Sequence, residues 1–285
     1  MSAVTYFRLS AGACVHHQGW FTPCLPGLAP STGGRRPLRA PVWPSGPVQV
    51  LAIHGLTGHG QRWQRLATHH LPEITVAAPD LIGHGRSSWA APWTIDANVK
   101  ALSALLDQHA DGPTVVVGHS FGGAVALHLA AARPDQVGEL VLLDPAIGLD
   151  GQWMREIADA MLASPDYPDV AEARAEKATG SWADVDPELL DAELDEHLVA
   201  LPGGRYAWRV SLPAMMSYWS ELARDIVLPP KGTATTLVRA TWTSPRTSAT
   251  SSLRRCEHGS GQISACWTST VSTWCRWPSP RRWPR

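Results

Sequence analysis

Between Cys24 and Cys256 lie 231 residues without a cysteine; Cys14, Cys24, Cys256, Cys266 and Cys275 all fall towards the ends of the 285-residue chain. Disulfides staple folded cores and zinc sites need regular ligand spacing, so neither is expected here. Charge of one sign is also lacking. The 24 Lys and Arg against 25 Asp and Glu leave a net charge of −1, which removes the electrostatic reason to expect a nucleic-acid or anionic-membrane partner. No apolar run reaches the roughly 18 to 20 residues of a membrane span, and no charged-then-apolar leader opens the chain. A soluble, cytoplasmic protein is the expectation, with its oligomeric state left open. What is present is a core: 44% of residues are hydrophobic and 17% charged, and the length suits one large domain or a core carrying a cap.

Lys and Asp are missing altogether from the last forty residues, Arg246 to Arg285. That stretch holds seven Arg, eight Ser, four Trp and three Cys but one each of Leu, Ile and Val. No helical or strand period runs through a segment so poor in aliphatics. The first 46 residues are crowded with Pro, Gly and Arg over Pro23 to Pro47, and only Val4 to Leu9 resembles a strand.

The middle alternates. Val48 to His54, Ile74 to Pro79, Thr114 to Gly118 and Val137 to Leu143 read as buried strands; residues 61–70, Thr94 to His109 and Gly122 to Arg133 read as helices. Strands with few charges that alternate with helices predict a mostly parallel, doubly wound α/β sheet covered on both faces. About 75 residues, 150–226, then break the alternation before a strand at Thr235 to Arg239, and a connection so long predicts a helical cap. Its Trp and Met residues either pack it onto the sheet or line an apolar pocket. The predicted divisions are a poorly defined segment (1–46), an α/β core (47–149), a cap (150–226), a core strand (227–245) and an atypical tail (246–285).

Three turns carry the chemistry. Gly118-His119-Ser120-Phe121-Gly122 has the G-x-S-x-G pattern between a β-branched strand and a small-residue helix. Small residues two positions either side let the backbone close around a serine on a strained turn, at the positive end of the following helix. Ser120 is read as a nucleophile, with an ordinary helix cap as the alternative. His54-Gly55-Leu56 ends the first clear strand, and here His54 orders its loop rather than moving protons. Asp80 to Ser88 is glycine-rich, and Asp80 reads as a bonder of nearby amides.

In their order these elements, with Leu140 to Pro145, resemble the α/β-hydrolase family, specifically its capped serine hydrolases, over about Pro47 to Pro245. The resemblance implies a Ser–His–acid triad, an oxyanion hole formed by the amides of Leu56 and Phe121, a small-molecule substrate and no cofactor. It implies hydrolysis of a small apolar ester or related acyl compound. The alternatives are a non-catalytic ligand-binding relative, or a carbon–carbon bond hydrolase or cofactor-free haloperoxidase-like enzyme.

The family's base follows the last strand. Here the one later histidine is His258, read either as that base or as a solvated tail residue. The acid usually follows the strand before it, where no carboxylate stands, so Asp144 is the best remaining acid, with a turn-forming role as the alternative. A tail rich in Arg, Ser, Trp, Cys and Pro is what a GC-rich gene yields out of frame. With third bases free, re-reading two nucleotides on permits an amphipathic helix, an apolar strand, and a histidine across the codons of Ser272 and Thr273. The valine spanning Trp274 and Cys275 is forced in that frame, as is the alanine spanning Trp277 and Pro278. A frameshift near Pro245 that replaced the last helix, last strand and base is the resulting expectation.

Overall fold

The structure is a computed structural model and describes residues 38–239. His258, the Val4 to Leu9 stretch and the tail lie outside the described residues. Six strands form one sheet: β1 Val42–Trp43, β2 Val50–Ile53, β3 Val76–Ala77, β4 Thr114–His119, β5 Val137–Leu143 and, after a long insertion, the strand Ala234–Val238. Their spatial order is β1, β3, β2, β4, β5 and then Ala234–Val238. All neighbours are parallel except β1 and β3. Val137–Leu143 matches the expected span residue for residue. β1 falls inside the N-terminal segment read as undefined, and its two residues are too short for any period to register. Residues 60–71 form a 3-10 turn and one wide turn rather than the expected α-helix; neither has a side-chain cap, and His69 and His70 follow no apolar stripe.

Helices α1 Ile95–His109 and α2 Phe121–Ala132 pack together on one face of the sheet. Thr94 caps α1, its hydroxyl accepting from the Ala97 amide at 3.0 Å, which satisfies one of the helix's free donors. Leu51, Ile53, Val116, Leu140 and Leu142 point into that layer and are buried. The opposite face differs. At β2 and β3 it is closed by Trp63, Ala67 and Leu71 over Ala52 and Val76, but Val115, Val117, Val141 and Leu143 are only half-buried. A parallel sheet with β-branched residues on both faces is expected to be covered on both; among the described residues it is covered fully on one. Ala234–Val238 is the edge strand and is exposed along its whole length, with Leu237 44% and Val238 50% accessible.

The insertion after β5 contains α3 Gly151–Ala163, α4 Val170–Thr179, α5 Pro187–His197 and α6 Leu212–Glu221. Asp150, Asp169, Asp186 and Ser211 cap them in turn. It is not purely helical: strands β6 Leu198–Ala200 and β7 Tyr206–Trp208 form an antiparallel pair, which makes Ala234–Val238 strand β8. Tyr167, Ala173, Leu190 and Leu194 give the insertion a small core of its own, flanked by Trp182 and Trp208.

Tyr218 bolts α6 to the main core. It is fully buried; its hydroxyl donates to the Ile82 carbonyl at 2.9 Å and accepts from Asn98 Nδ2 at 2.8 Å. Burial pushes its pKa up to about 12, against the lowering effect of the Asn98 hydrogen bond. Tyr218→Phe should cost about 1–2 kcal/mol, because the Ile82 carbonyl keeps its contact with His84 and Asn98 keeps its bond to the Thr94 carbonyl. Urea unfolding midpoints measure this; a loss beyond about 3 kcal/mol would contradict it.

Candidate active site

Ser120 sits between β4 and α2 with φ 51° and ψ −117°, in backbone space that non-glycine residues rarely occupy. The surrounding backbone holds it there. Its amide donates to the Leu143 carbonyl at 3.0 Å, and its carbonyl accepts from Gly123 at 2.9 Å and Ala146 at 3.0 Å. A Cβ on Gly118 would lie 2.5 Å from the Gly122 carbonyl oxygen, so the two glycines of the motif are what lets the turn close. The Ser120 hydroxyl makes no capping bond to α2, which removes the ordinary reason for a serine at this position. Strain of this kind gathers at functional sites.

The turn after β2 lies against this elbow: a Cβ on Gly55 would stand 3.3 Å from the Ser120 Cβ. Thr57 has φ 61°, and the Gly58 amide donates to the Gly55 carbonyl at 2.9 Å. Among the described residues, neither the Leu56 nor the Phe121 amide donates to a backbone carbonyl. Phe121 itself is fully buried, its ring 4.7 Å from that of Tyr218.

His54 is tied at both ring nitrogens. Its Nε2 accepts from the Leu81 amide at 2.9 Å, so the proton sits on Nδ1 and is donated to the Gly55 carbonyl at 2.8 Å. Burial, then the neighbouring His84, hold its pKa well below the usual histidine range. A neutral ring with both nitrogens occupied orders the turn. Asp80 has the same kind of role: Oδ1 accepts from Gly60 at 2.7 Å and Oδ2 from Arg86 at 2.8 Å.

Asp144 follows β5 at the same C-terminal edge of the sheet, since Leu143 pairs with His119. It is exposed, has φ 44°, and its amide donates to the Val238 carbonyl at 2.6 Å. His119, one residue before Ser120, has its pKa lowered by burial and then by the charge of Arg62, with Asp144 opposing. The fold thus gathers Ser120, Leu56, Phe121 and Asp144 at the carboxyl ends of the strands, where open α/β sheets bind ligands. It leaves His258 outside the described residues.

A model of the alpha/beta hydrolase family matches residues 50–276. The chain belongs to that family. It is 79% identical over 202 residues to Lipase LipV of Mycobacterium tuberculosis, an alignment covering 71% of this chain and 77% of that protein. Among solved structures, E-2-(acetamidomethylene)succinate hydrolase superposes with a TM-score of 0.60 at 20% identity, over 71% of this chain and 86% of that one. A marine microorganism esterase gives 0.55 at 22%, over 71% and 80%. At such identities the two structures speak for the fold alone. No helix among the described residues is long and apolar enough to cross a membrane.

Sequence reading missed the hydrolase core's grip on its insertion. The Gly83–Gly85 turn bonds to Ser211 and Arg209 through backbone groups at 2.8 and 2.9 Å. Three residues just past Gly58 (His59, Gln61 and Arg62) meet Glu193 and His197 of α5. Glu193 stands in an acidic, solvated-looking helix, and no local pattern marks it as buried.

Proposed function

We propose that this protein is a serine hydrolase of small, largely apolar esters, with residues 150–226 acting as a cap over the site. The observation that carries the reading is the strained, uncapped Ser120 pressed against Gly55. Ser120 Oγ attacks the ester carbonyl, and the amides of Leu56 and Phe121 receive the negative charge of the tetrahedral intermediate. Collapse of that intermediate expels the alcohol, and water then releases the acid. Asp144, at the end of β5 beside the strand that leads into the elbow, is the acid candidate. Similarity to Lipase LipV supports the ester class, and a core without cysteine suits a cytoplasmic setting.

The base is the weak link. His258 is the one histidine this frame offers after β8, and a frameshift near Pro245 accounts for it better. In support, Val115, Val117 and Val141 remain half-buried on the sheet face that a terminal helix covers in a doubly wound fold.

A panel of p-nitrophenyl esters of increasing acyl length, a dienone and a halide–peroxide mixture, run on the frame-restored chain beside the chain as it stands, tests the activity. Saturable turnover of the short esters is expected of the restored chain, and only slow turnover of the other. Turnover confined to the dienone or to halogenation would replace the esterase reading, and ligand binding without any turnover would favour an inactive relative.

A further inference from the structure

We infer that Glu193 of α5 is a positioning residue that locks the turn carrying the Leu56 amide, acting through His59 and Arg62. The inference rests on the reading of Leu56 as an oxyanion donor.

Glu193 is 5% exposed, and it is met from three directions. His59 Nε2 donates to Oε2 at 2.7 Å, the Arg62 guanidinium donates to Oε1, and the Lys177 ammonium lies 3.8 Å from Oε1. Burial alone would raise its pKa, but the His59 hydrogen bond and the charge of Arg62 outweigh that and hold the group ionised. Lys177 stands 4.2 Å from the Trp208 ring centre, and Arg62 lies 5.2 Å over Trp182. A carboxylate withdrawn from water is tolerated only when its partners are held in good geometry, so the cluster fixes the positions of everything that touches it.

What it touches is the far end of the turn. His54 anchors the start of this turn, and Gly60 anchors its end through Asp80. Between them Leu56, Thr57 and Gly58 make one internal bond, Gly58 to Gly55. His59 closes this span, and its ring is defined in two ways. Its edge is bonded to Glu193, while its plane stacks on His197 one helical turn later, with centroids 3.3 Å apart and planes within 12°. Gln61 Oε1 lies 3.4 Å from His197 Nε2. Glu193 and His197, four apart on one face of α5, therefore hold the turn from two sides.

The same helix supplies a comparison. Glu196 pairs with Arg86 at 2.5 Å and is partly exposed; Arg86 meets the turn only through its backbone amide on Asp80, the carboxylate that holds Gly60, and not through the paired guanidinium. If α5 only needed fastening to the core, that pair would serve; the buried cluster is placed where it also sets the turn.

The test uses the full chain and Glu193→Gln, Glu193→Asp, Glu196→Gln and the double variant Arg62→Met/Glu193→Met. Hydrogen–deuterium exchange is followed in peptides covering 54–63 and 114–132. Diethyl p-nitrophenyl phosphate reports trapping of Ser120: an Oγ–P bond forms, p-nitrophenolate leaves and the serine proton passes to solvent. Glu193→Gln should raise exchange at 54–63 at least tenfold and slow trapping at least tenfold, leaving 114–132 unchanged. Glu193→Asp should restore part of both, and Glu196→Gln should change neither. The double variant removes Glu193 and Arg62 together and leaves Lys177 against the Trp208 ring; with a circular-dichroism spectrum like that of the unsubstituted chain, it should loosen 54–63 as Glu193→Gln does, and native exchange there overturns the inference. Unchanged exchange at 54–63 in Glu193→Gln, or an equal effect from Glu196→Gln, overturns the inference. Raised exchange with unchanged trapping overturns it too. If the unsubstituted chain is not trapped, the same variants are trapped in the frame-restored chain, which supplies the base; if that chain is not trapped either, the reading of Ser120 and Leu56 falls, and the exchange comparison still decides whether Glu193 locks the turn.

Discussion

Restoring the alternative frame after the codon of Pro245 should raise kcat/KM for a short p-nitrophenyl ester by at least about a thousandfold, and Ser120→Ala in the restored chain should abolish the gain. A serine hydroxyl is a poor nucleophile until a base takes its proton, and enzymes stripped of one triad member keep only what binding and the oxyanion hole supply, roughly 10³ to 10⁴ over water. The present chain has the elbow geometry and the turn beside it, but its sole histidine beyond β8 is His258. The restored frame brings a histidine across codons 272 and 273, preceded by an apolar strand and a helix. Those elements also have somewhere to go. β8 offers an edge with Leu237 and Val238 exposed, and Val115, Val117 and Val141 offer a half-open face. Covering them should raise the unfolding midpoint together with the rate. The opposing result is clear-cut: an unrestored chain that hydrolyses esters and loses that activity in His258→Ala makes His258 the base and the tail genuine. Sequencing codons 235 to 285 from an independent template separates the two before any kinetics.

How much of the fold could be read from the sequence depends on how local each signal is. The run Val115-Val116-Val117 into Gly118, with small residues from Gly122 on, marks strand, sharp turn and helix within about twenty residues, and each lies where expected. His54 and Asp80 were readable as loop formers because glycines stand beside them, and their bonds to Gly55, Leu81, Gly60 and Arg86 are all made near a turn. The strand pair β6–β7 hid inside a segment whose acidic and aromatic content looked helical. Three-residue strands carry too little alternation to register. Glu193 and His59 are 134 positions apart, and nothing along the chain links them. The expectation of a sheet covered on both faces was drawn from strand composition, which is local. Among the described residues one face is covered fully, and Val115, Val117, Val141 and Leu143 stay half-buried on the other.

Acid should unfold this protein well above the range in which its carboxylates titrate. Three buried histidines have pKa values held below 6.5: His54 well below by burial and by His84, His84 to about 4 by burial, and His197 to about 3 by burial and by the charge of His59. About a unit above pH 6.5 and higher, these rings are neutral in both folded and unfolded chains, and contribute nothing to the pH dependence. As pH falls below 6.5 the unfolded chain takes up protons that the folded one refuses, so stability falls with pH until the folded values are reached. At about 1.4 kcal/mol per pKa unit, His84 alone removes roughly 2 kcal/mol by pH 5. The others act in the same direction, against a total stability of about 5–15 kcal/mol. Glu193, whose folded pKa is depressed, adds its loss from the ordinary carboxylate range downwards, as the unfolded chain's carboxylate takes a proton that the folded one refuses. Urea midpoints between pH 7.5 and 4.5 should therefore drop steeply from near 6.5 downwards. His84→Leu removes one contributor and also relieves the depression that its charge imposes on His54. The Ile82 carbonyl keeps the Tyr218 hydroxyl, and His84 Nε2 has no partner to lose. The variant should shallow the slope by close to one proton between pH 6.5 and 4. A flat profile down to pH 5, or an unchanged slope in His84→Leu, would mean that water reaches these rings and that the buried cluster under the turns is not as dry as its packing implies.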